Sequence, residues 1–473
     1  MVLFLLLGLP PLMAVLVFFV RLRRTRKLVL LLTGFVHLMT MVRLWKGPHD
    51  VQLGPFLGFD AVSQLTLTIV SALFFIIAIY LVSYLREKNR SNKVLLACLL
   101  CLLTAMSLVC LSRHMGLLWI AIEATTLLCA PLINYHRTAQ GIEATWKFLL
   151  ISSMGIALSL LGTLFLAISA TTLKTVFLSD ILNNAAFLSP SWLKLSIIFL
   201  LVGYGTKMGL APMHTWKPDV YGESPGPIGA LMSGAVTSCA FLAVFRVCQI
   251  SFHAHMEAFT SPILILLGTL SLGIAAIFIM GQKDLNRMWG YSSIEHMGIL
   301  VLGIGLGGGA IWASVFHMIN NTFSKGLIFL VSGNMVHAFK TRKVRDIQGV
   351  IHKLPLTGMF LILGFIVISG IPPFGIFYSE MLILMQAIMT HRYFFVFFYI
   401  LFLSVIFFGL SKAVFNMAMG KPSECVEKAT KKEDFFMIMP LIILTVILFF
   451  TGVFVPDGIY HFIDESAALL GGR

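Results

Sequence analysis

Fourteen apolar runs follow one another along this chain with only short polar loops between them. A helix needs about 20 consecutive apolar residues to cross a hydrocarbon core about 30 Å thick. The runs lie at approximately 1–20, 28–45, 61–85, 93–112, 115–135, 145–170, 191–213, 226–250, 260–281, 290–306, 308–335, 356–382, 392–416 and 435–456. In lipid every backbone N–H and C=O must be satisfied within the segment, so runs of this kind are expected to be helices. The expected fold is an all-α polytopic membrane protein of about 14 transmembrane helices. Only 11% of the 473 residues are charged, against about 25% in soluble domains. The longest loop, 171–190, is too short to bury a core of its own. Any soluble chemistry that the chain serves is therefore expected to belong to a partner.

The net charge of +14 would suit nucleic acid, but the basic residues lie in short loops between apolar runs, where they set membrane orientation. Of the 34 Lys and Arg, 23 fall in the odd-numbered loops, among them Arg137, Lys147, Lys217, Lys283 and Arg287, and eight on the even, outer side and its margins: Arg43, Lys46, Arg113, Lys174, Lys194, Arg246, Arg392 and Arg473. No nucleic-acid partner is expected, and both termini are expected on the outer face. The first run has no basic segment ahead of it and reads as a retained helix rather than a cleaved signal. Seven cysteines are scattered; Cys98 and Cys101 form a lone pair with no second pair nearby, which reads as packing rather than metal binding. The GIGLGG at 303–308 lies between two apolar runs without a strand, and is expected to be a helix hairpin rather than a dinucleotide site.

The remaining three cations, Lys207, Lys325 and Lys412, fall inside apolar runs. A charged side chain at mid-bilayer costs at least ~2.5–3.5 kcal/mol and so is a functional hypothesis by default. Lys207 is followed by Pro212, and a proline removes a backbone N–H and clashes with the turn before it. The stretch 203–227 is therefore expected to be a broken helix carrying a buried charge, with His214 a candidate access residue. Glu123 lies in run 5, and Glu380 follows Pro372 and Pro373 in run 12. His317, Asn321 and Lys325 are spaced i, i+4, i+8 and share one helical face. Burial weakens a lysine's hold on its proton and a nearby carboxylate restores it, so such a lysine changes protonation state at modest cost. Glu295 and His296, close to the start of run 10, could serve a relay or the helix start. Lys412, close to the end of its run, could join the path or snorkel to the interface. His37 and His337 read as packing histidines.

The two proline breaks correspond if 93–250 (helices 4–8) and 260–416 (helices 9–13) are two copies of one five-helix unit. An odd number of spans inverts one copy relative to the other, and paired broken helices in an inverted repeat point to a transport site near the midplane. The segments 1–92 (helices 1–3) and 435–473 (helix 14 and tail) then lie outside the repeats.

At these residues the chain resembles a known family. GYGTKMGLAPMHTWKPDVYGESPGPIGALMSG, then KDLNRMWGYSSIEHMG, HMINNTFSKGLIFLVSGNMVH and GIPPFGIFYSE in order, are similar to the antiporter-like membrane subunits shared by respiratory complex I, Mrp-type cation/proton antiporters and group 4 membrane-bound hydrogenases. The resemblance spans roughly 60–420. The EHMG block, with GTK ahead of the proline, is most similar to the hydrogenase-4 component F branch of formate hydrogenlyase-type complexes.

The resemblance implies two inverted five-helix repeats with discontinuous helices 7 and 12, and a proton path of Glu123, Lys207, His317, Lys325 and Glu380. It implies no cofactor or metal in this chain, NiFe and iron–sulfur clusters in partner subunits, other membrane subunits and a peripheral redox arm as partners, and location in the cytoplasmic membrane. Two departures stand out. Ser238 occupies helix 8 where complex I subunits usually have a lysine, and Asn321 stands where many have a histidine. Both remove a titratable step, so either proton transfer needs water at those positions or the pump is weaker or differently wired. A gradient-driven Mrp-type exchanger, a complex I antiporter-like subunit and a non-pumping membrane anchor are the alternative readings.

Overall fold

A computed structural model describes residues 2–45, 47, 51–86, 92–171, 173, 175–428 and 432–471. Lys46, Lys88, Arg90, Lys174, Lys431 and Arg473, counted above in the loop charge, lie outside the described residues. The chain is almost wholly helical. The first helices are α1 (Leu9–Phe19, continuing a π turn Phe4–Gly8), α2 (Arg23–Leu44), α3 (Ala61–Tyr84), α4 (Lys93–Leu111), α5 (Met115–Ile133) and α6 (Ala139–Ser169). A short α7 (Leu178–Asn183) precedes α8 (Pro190–Met208), α9 (Trp216–Glu223), α10 (Gly226–Leu231) and α11 (Thr237–His253). Then come α12 (Glu257–Ile279), α13 (Leu285–Leu306), α14 (Gly309–Phe339), α15 (Pro355–Ile368), α16 (Gly375–Met389), α17 (Tyr393–Met419), α18 (Glu424–Glu427), α19 (Phe435–Val453) and α20 (Asp457–Ala468).

Helix starts follow local chemistry. Asp60, Thr138, Asp284 and Asp434 each accept a backbone N–H of the first turn of α3, α6, α13 and α19, satisfying donors that a helix leaves open at that end. Helix α2 begins at Arg23, earlier than the apolar run, because Arg26 turns inward: its guanidinium donates to the Val20 carbonyl at 2.7 Å and to Asn92 Oδ1 at 3.1 Å. The span assembled from α10, a π segment Met232–Val236 and α11 is buried along its whole apolar window. A helix that is apolar all round belongs in the interior.

Both expected breaks are present. Helix α8 stops at Met208 because Gly209 is left-handed (φ 78°), and the chain resumes in α9 after a turn that contains Pro212. Helix α15 stops at Ile368, Gly370 is left-handed (φ 60°), and α16 follows Pro372 and Pro373. Glycine takes this conformation without the Cβ clash that other residues meet. Lys207 thus stands in the last turn of α8, where the helix dipole favours a cation, and not in mid-helix.

Among the described residues nine single helices are long and apolar enough to cross a membrane, or up to ten if a bent pair counts as one. The first run is short, runs 7 and 12 are broken, and α13 and α14 are interrupted by polar residues. The sequence reading missed α20, whose buried side is Phe462, Ile463, Ser466 and Ala467. The glycine-rich 303–308 segment forms the end of α13 and the turn into α14, with Gly307 and Gly308 at positive φ.

Candidate functional site

A line of buried polar groups runs from α5 through both breaks to α16. At its first end Glu123 is half-buried on α5 and accepts from Ser153 Oγ at 3.3 Å. Lys207, 1% exposed, donates to Thr126 Oγ1, one turn from Glu123, at 2.9 Å. Its ammonium also stands 5.1 Å above the Phe148 ring, an arrangement worth ~2 kcal/mol once water is excluded. Glu123 and Lys207 therefore form no direct ion pair among the described residues: a threonine hydroxyl, not a carboxylate, receives the lysine.

The centre of the line is on α13. Lys325 of α14, fully buried, donates to Ser292 Oγ at 2.8 Å, and Ser292 donates to Glu295 Oε2 at 3.2 Å. His296 Nδ1 lies 3.0 Å from His317 Nε2, and His317 Nδ1 lies 2.8 Å from Ser379 Oγ on α16. The adjacent Glu380 places its carboxyl against Gly370, so the second break makes room for it. Glu295 and His296 lie three turns into α13, buried at the centre; the helix starts earlier than its apolar run, which removes the helix-start role.

His296, His317 and Glu380 bring ligand-capable atoms within 4.8 Å of one another. The two rings also meet in a direct hydrogen bond.

The other expected residues divide. Asn321 is fully buried, and neither end of its side-chain amide has a hydrogen-bond partner among the described residues. Ser238 bonds Thr322 Oγ1 at 2.8 Å, next to the π segment, a kind of irregularity frequent at functional sites. His214 sits in the first break. Lys412 is exposed on α17 and does not join the line, as a side chain snorkelling from a helix end would not. His37 is a packing histidine, 2.9 Å from both Ser71 Oγ and Ser107 Oγ.

Sequence reasoning missed Lys217. Counted among loop charges, it is fully buried and donates to Ser293 Oγ at 3.1 Å. Arg246, counted on the outer margin, is also buried, paired with Asp60 at 2.7 and 2.8 Å. On the side of the odd-numbered loops, a cavity of about 620 Å³ is lined by Tyr84, Glu223, Asn286, His337 and Arg342 among others. Asn286 and Ser293 lie on one helix, about 10 Å apart along its axis at 1.5 Å per residue, so the cavity stands about two turns from the serine that holds Lys217. Beside it Asp219 pairs with Lys147 at 3.1 Å and with Arg287, and Glu223 with Arg342 at 2.8 Å, fixing α9 to α6, α13 and the loop after α14.

The family described as "NADH:quinone oxidoreductase/Mrp antiporter, TM" matches residues 112–409. The hydrogenase-4 component F homolog of Methylacidiphilum infernorum is 37% identical over 293 residues, 60% of this chain and 61% of that protein; the chain thus spans under two thirds of that relative's length. A chain of the membrane-bound sulfane sulfur reductase, an archaeal respiratory membrane complex, superposes with TM-score 0.89 at 19% identity, covering 99% of this chain and 97% of that one. A chain of Thermus thermophilus respiratory complex I does so with TM-score 0.80 at 24% identity, covering 96% and 97%. At such identities the likeness is one of fold.

Proposed function

Because this chain belongs to the NADH:quinone oxidoreductase/Mrp antiporter family of membrane proteins, we propose that it translocates protons as one membrane subunit of a multi-subunit redox complex of the hydrogenase type. The observation that carries this reading is the character of the buried lysines. Lys207 and Lys325 are each held by a hydroxyl, and neither forms an ion pair among the described residues. A lysine fixed by a carboxylate keeps its proton; one held by a hydroxyl can pass it on.

The contacts support a relay in two halves. In the first half, a change of charge beside the subunit alters the attraction between Glu123 and Lys207, and Lys207 releases a proton toward the centre. Water at the unpartnered Asn321 amide bridges where no titratable side chain stands, since buried polar groups without protein partners are the places that hold water. In the second half, Lys325 gives a proton through the Ser292 hydroxyl to Glu295. His296 and His317 each accept on one ring nitrogen and release from the other, delivering the proton past Ser379 to Glu380. Segments 93–250 and 260–416 act as the two inverted units. In support, each break has a left-handed glycine whose missing Cβ leaves room for an ionisable side chain, Lys217 at Gly209 and Glu380 at Gly370.

The partners in this reading are other membrane subunits and a peripheral arm carrying the NiFe and iron–sulfur clusters, with both termini outside, as the loop charges favour. The support for a hydrogenase-type complex over an Mrp-type exchanger is the 37% identity to the hydrogenase-4 component F homolog. Lys207→Ala in the intact complex, reconstituted in vesicles, tests the reading. Proton movement is expected to stop while electron transfer by the partners stays measurable; unchanged movement favours a membrane anchor instead.

A further inference from the structure

We propose that Lys217 is the proton-carrying station that joins the two halves, in the place left open by Ser238. This rests on the relay reading above and deepens it. Lys217 belongs to the first turn of α9, beyond the first break, and is fully buried. Among the described residues its ammonium makes hydrogen bonds only to Ser293, at 3.1 Å to Oγ and 3.4 Å to the carbonyl, and forms no ion pair.

The break is shaped around this side chain. A Cβ on Gly209 would come 2.5 Å from Lys217 Cε, closer than such atoms approach. Gly209 therefore ends α8 and makes room for the lysine stem at the same position. The two neighbours complete the argument. On the far side, Lys325 donates to Ser292, so the two lysines hold consecutive serines of α13, and Lys325 is the charged group that acts on Lys217. The Tyr221 hydroxyl also faces Ser293, while His214 and His296 feel the charge of Lys217. On the near side, the Trp216 ring lies 5.0 Å from Phe148, the ring over which Lys207 stands, and Trp216 Nε1 donates to the Thr206 carbonyl at 2.9 Å. Lys217 thus lies between the two lysines already assigned. Ser238, by contrast, is tied to Thr322 and to the Gly234 carbonyl and has no ionisable proton to give.

A structural clamp does not explain Lys217. The surface ion pairs of Asp219 and Glu223 already hold α9, and a buried charge without a carboxylate is a costly way to fasten a helix. As a station, the neutral Lys217 amine takes a proton arriving from Lys207 onto its lone pair. It then releases one along its bond to Ser293, whose hydroxyl gives its own proton through water to the neutral Lys325 amine.

The experiment measures proton movement and electron transfer together in vesicles holding the intact complex. Lys217→Arg keeps the stem and the positive charge, but arginine does not deprotonate in proteins. The expected result is at least a ten-fold loss of proton movement in Lys217→Arg and Lys217→Gln with electron transfer retained, and a several-fold loss in Ser293→Ala. If Lys217→Gln fails to assemble, Lys217→Arg decides. Proton movement at the parent level in Lys217→Arg overturns the proposal, because a structural cation would be rescued by arginine. If Lys207→Ala stops movement while Lys217→Arg does not, the station is wrong and the relay stands; if neither variant alters it, the relay itself is wrong.

Discussion

Two sets of buried charges in this molecule look alike by composition and differ in how they are held. At the even-loop end of the interior, both Asp60 carboxyl oxygens receive Arg246, at 2.7 and 2.8 Å, with Arg113 at 3.4 Å and the Ser63 hydroxyl at 2.7 Å. Arg246 also donates to Gln249 at 2.9 Å and to Ser63 at 2.6 Å. Both Asp60 oxygens and both terminal nitrogens of Arg246 are engaged, so the cluster ties the start of α3 to α11 as a clamp. At the centre, Lys207, Lys217 and Lys325 each meet a hydroxyl, and the nearest carboxylate of the central pair, Glu295, is reached through Ser292. Burial alone thus says little about transport. What separates a clamp from a relay is whether the opposite charge is in direct contact.

The comparison breaks most visibly at the clamp. Arg246→Leu leaves Asp60 buried without its bidentate partner, and removing one member of a buried pair costs ~3–5 kcal/mol. We expect the subunit to disappear from the membrane or to melt far earlier in detergent, measured by thermal unfolding. A relay lysine changed to glutamine should leave that midpoint within a degree or two.

A smaller effect is expected at the second break. Gly370→Ala forces a side chain into a left-handed residue, which costs ~1–2 kcal/mol, and its Cβ would collide with Glu380 Oε2. Proton movement should fall several-fold as Glu380 is displaced, while the complex still assembles; a parent-like rate would mean that the Glu380 position is not used.

Acid titration sharpens the contrast further. Burial by itself pushes Asp60 up, but the paired Arg246 and Arg113 guanidinium groups hold its carboxyl well below the usual carboxylate range. A carboxyl depressed on folding contributes stability above its unfolded value, near ~3.9, and loses it only as pH falls through the lower folded value. The melting midpoint of the clamp region should therefore stay level between about pH 7 and pH 5. A rise as pH falls across that window, the mark of a buried carboxyl that takes up a proton on folding, would place Asp60 outside the pair. The smallest effect belongs to Lys412→Gln: on the exposed face of α17, it should leave both proton movement and stability unchanged.

These contrasts also show which parts of the molecule are legible in sequence. Apolar runs located the helices closely, as with 93–112 against Lys93–Leu111 and 435–456 against Phe435–Val453, because burying backbone in lipid leaves few alternatives. The breaks were legible from Pro212 and from Pro372 and Pro373. Lys217 was not. Between His214 and Asp219 it reads as a loop cation, and counting loop charges assumes that distance along the chain measures depth. A break that folds the chain back into the interior cancels that assumption. A lysine within five residues of a helix-breaking proline is the signal that could have found it. Arg246 was misread for a related reason: its partner Asp60 is 186 residues away, and no local pattern announces the pair. Helix α20 escaped because its apolar side is too short to stand out as a span.

The most direct measurement is the number of protons moved per electron transferred by the intact complex in sealed vesicles, compared between the parent and Lys325→Gln. The account predicts that the ratio falls by at least ten-fold in the variant while the subunit remains assembled and the electron-transfer rate stays measurable. A ratio equal to the parent's, with Lys325 gone, would contradict it.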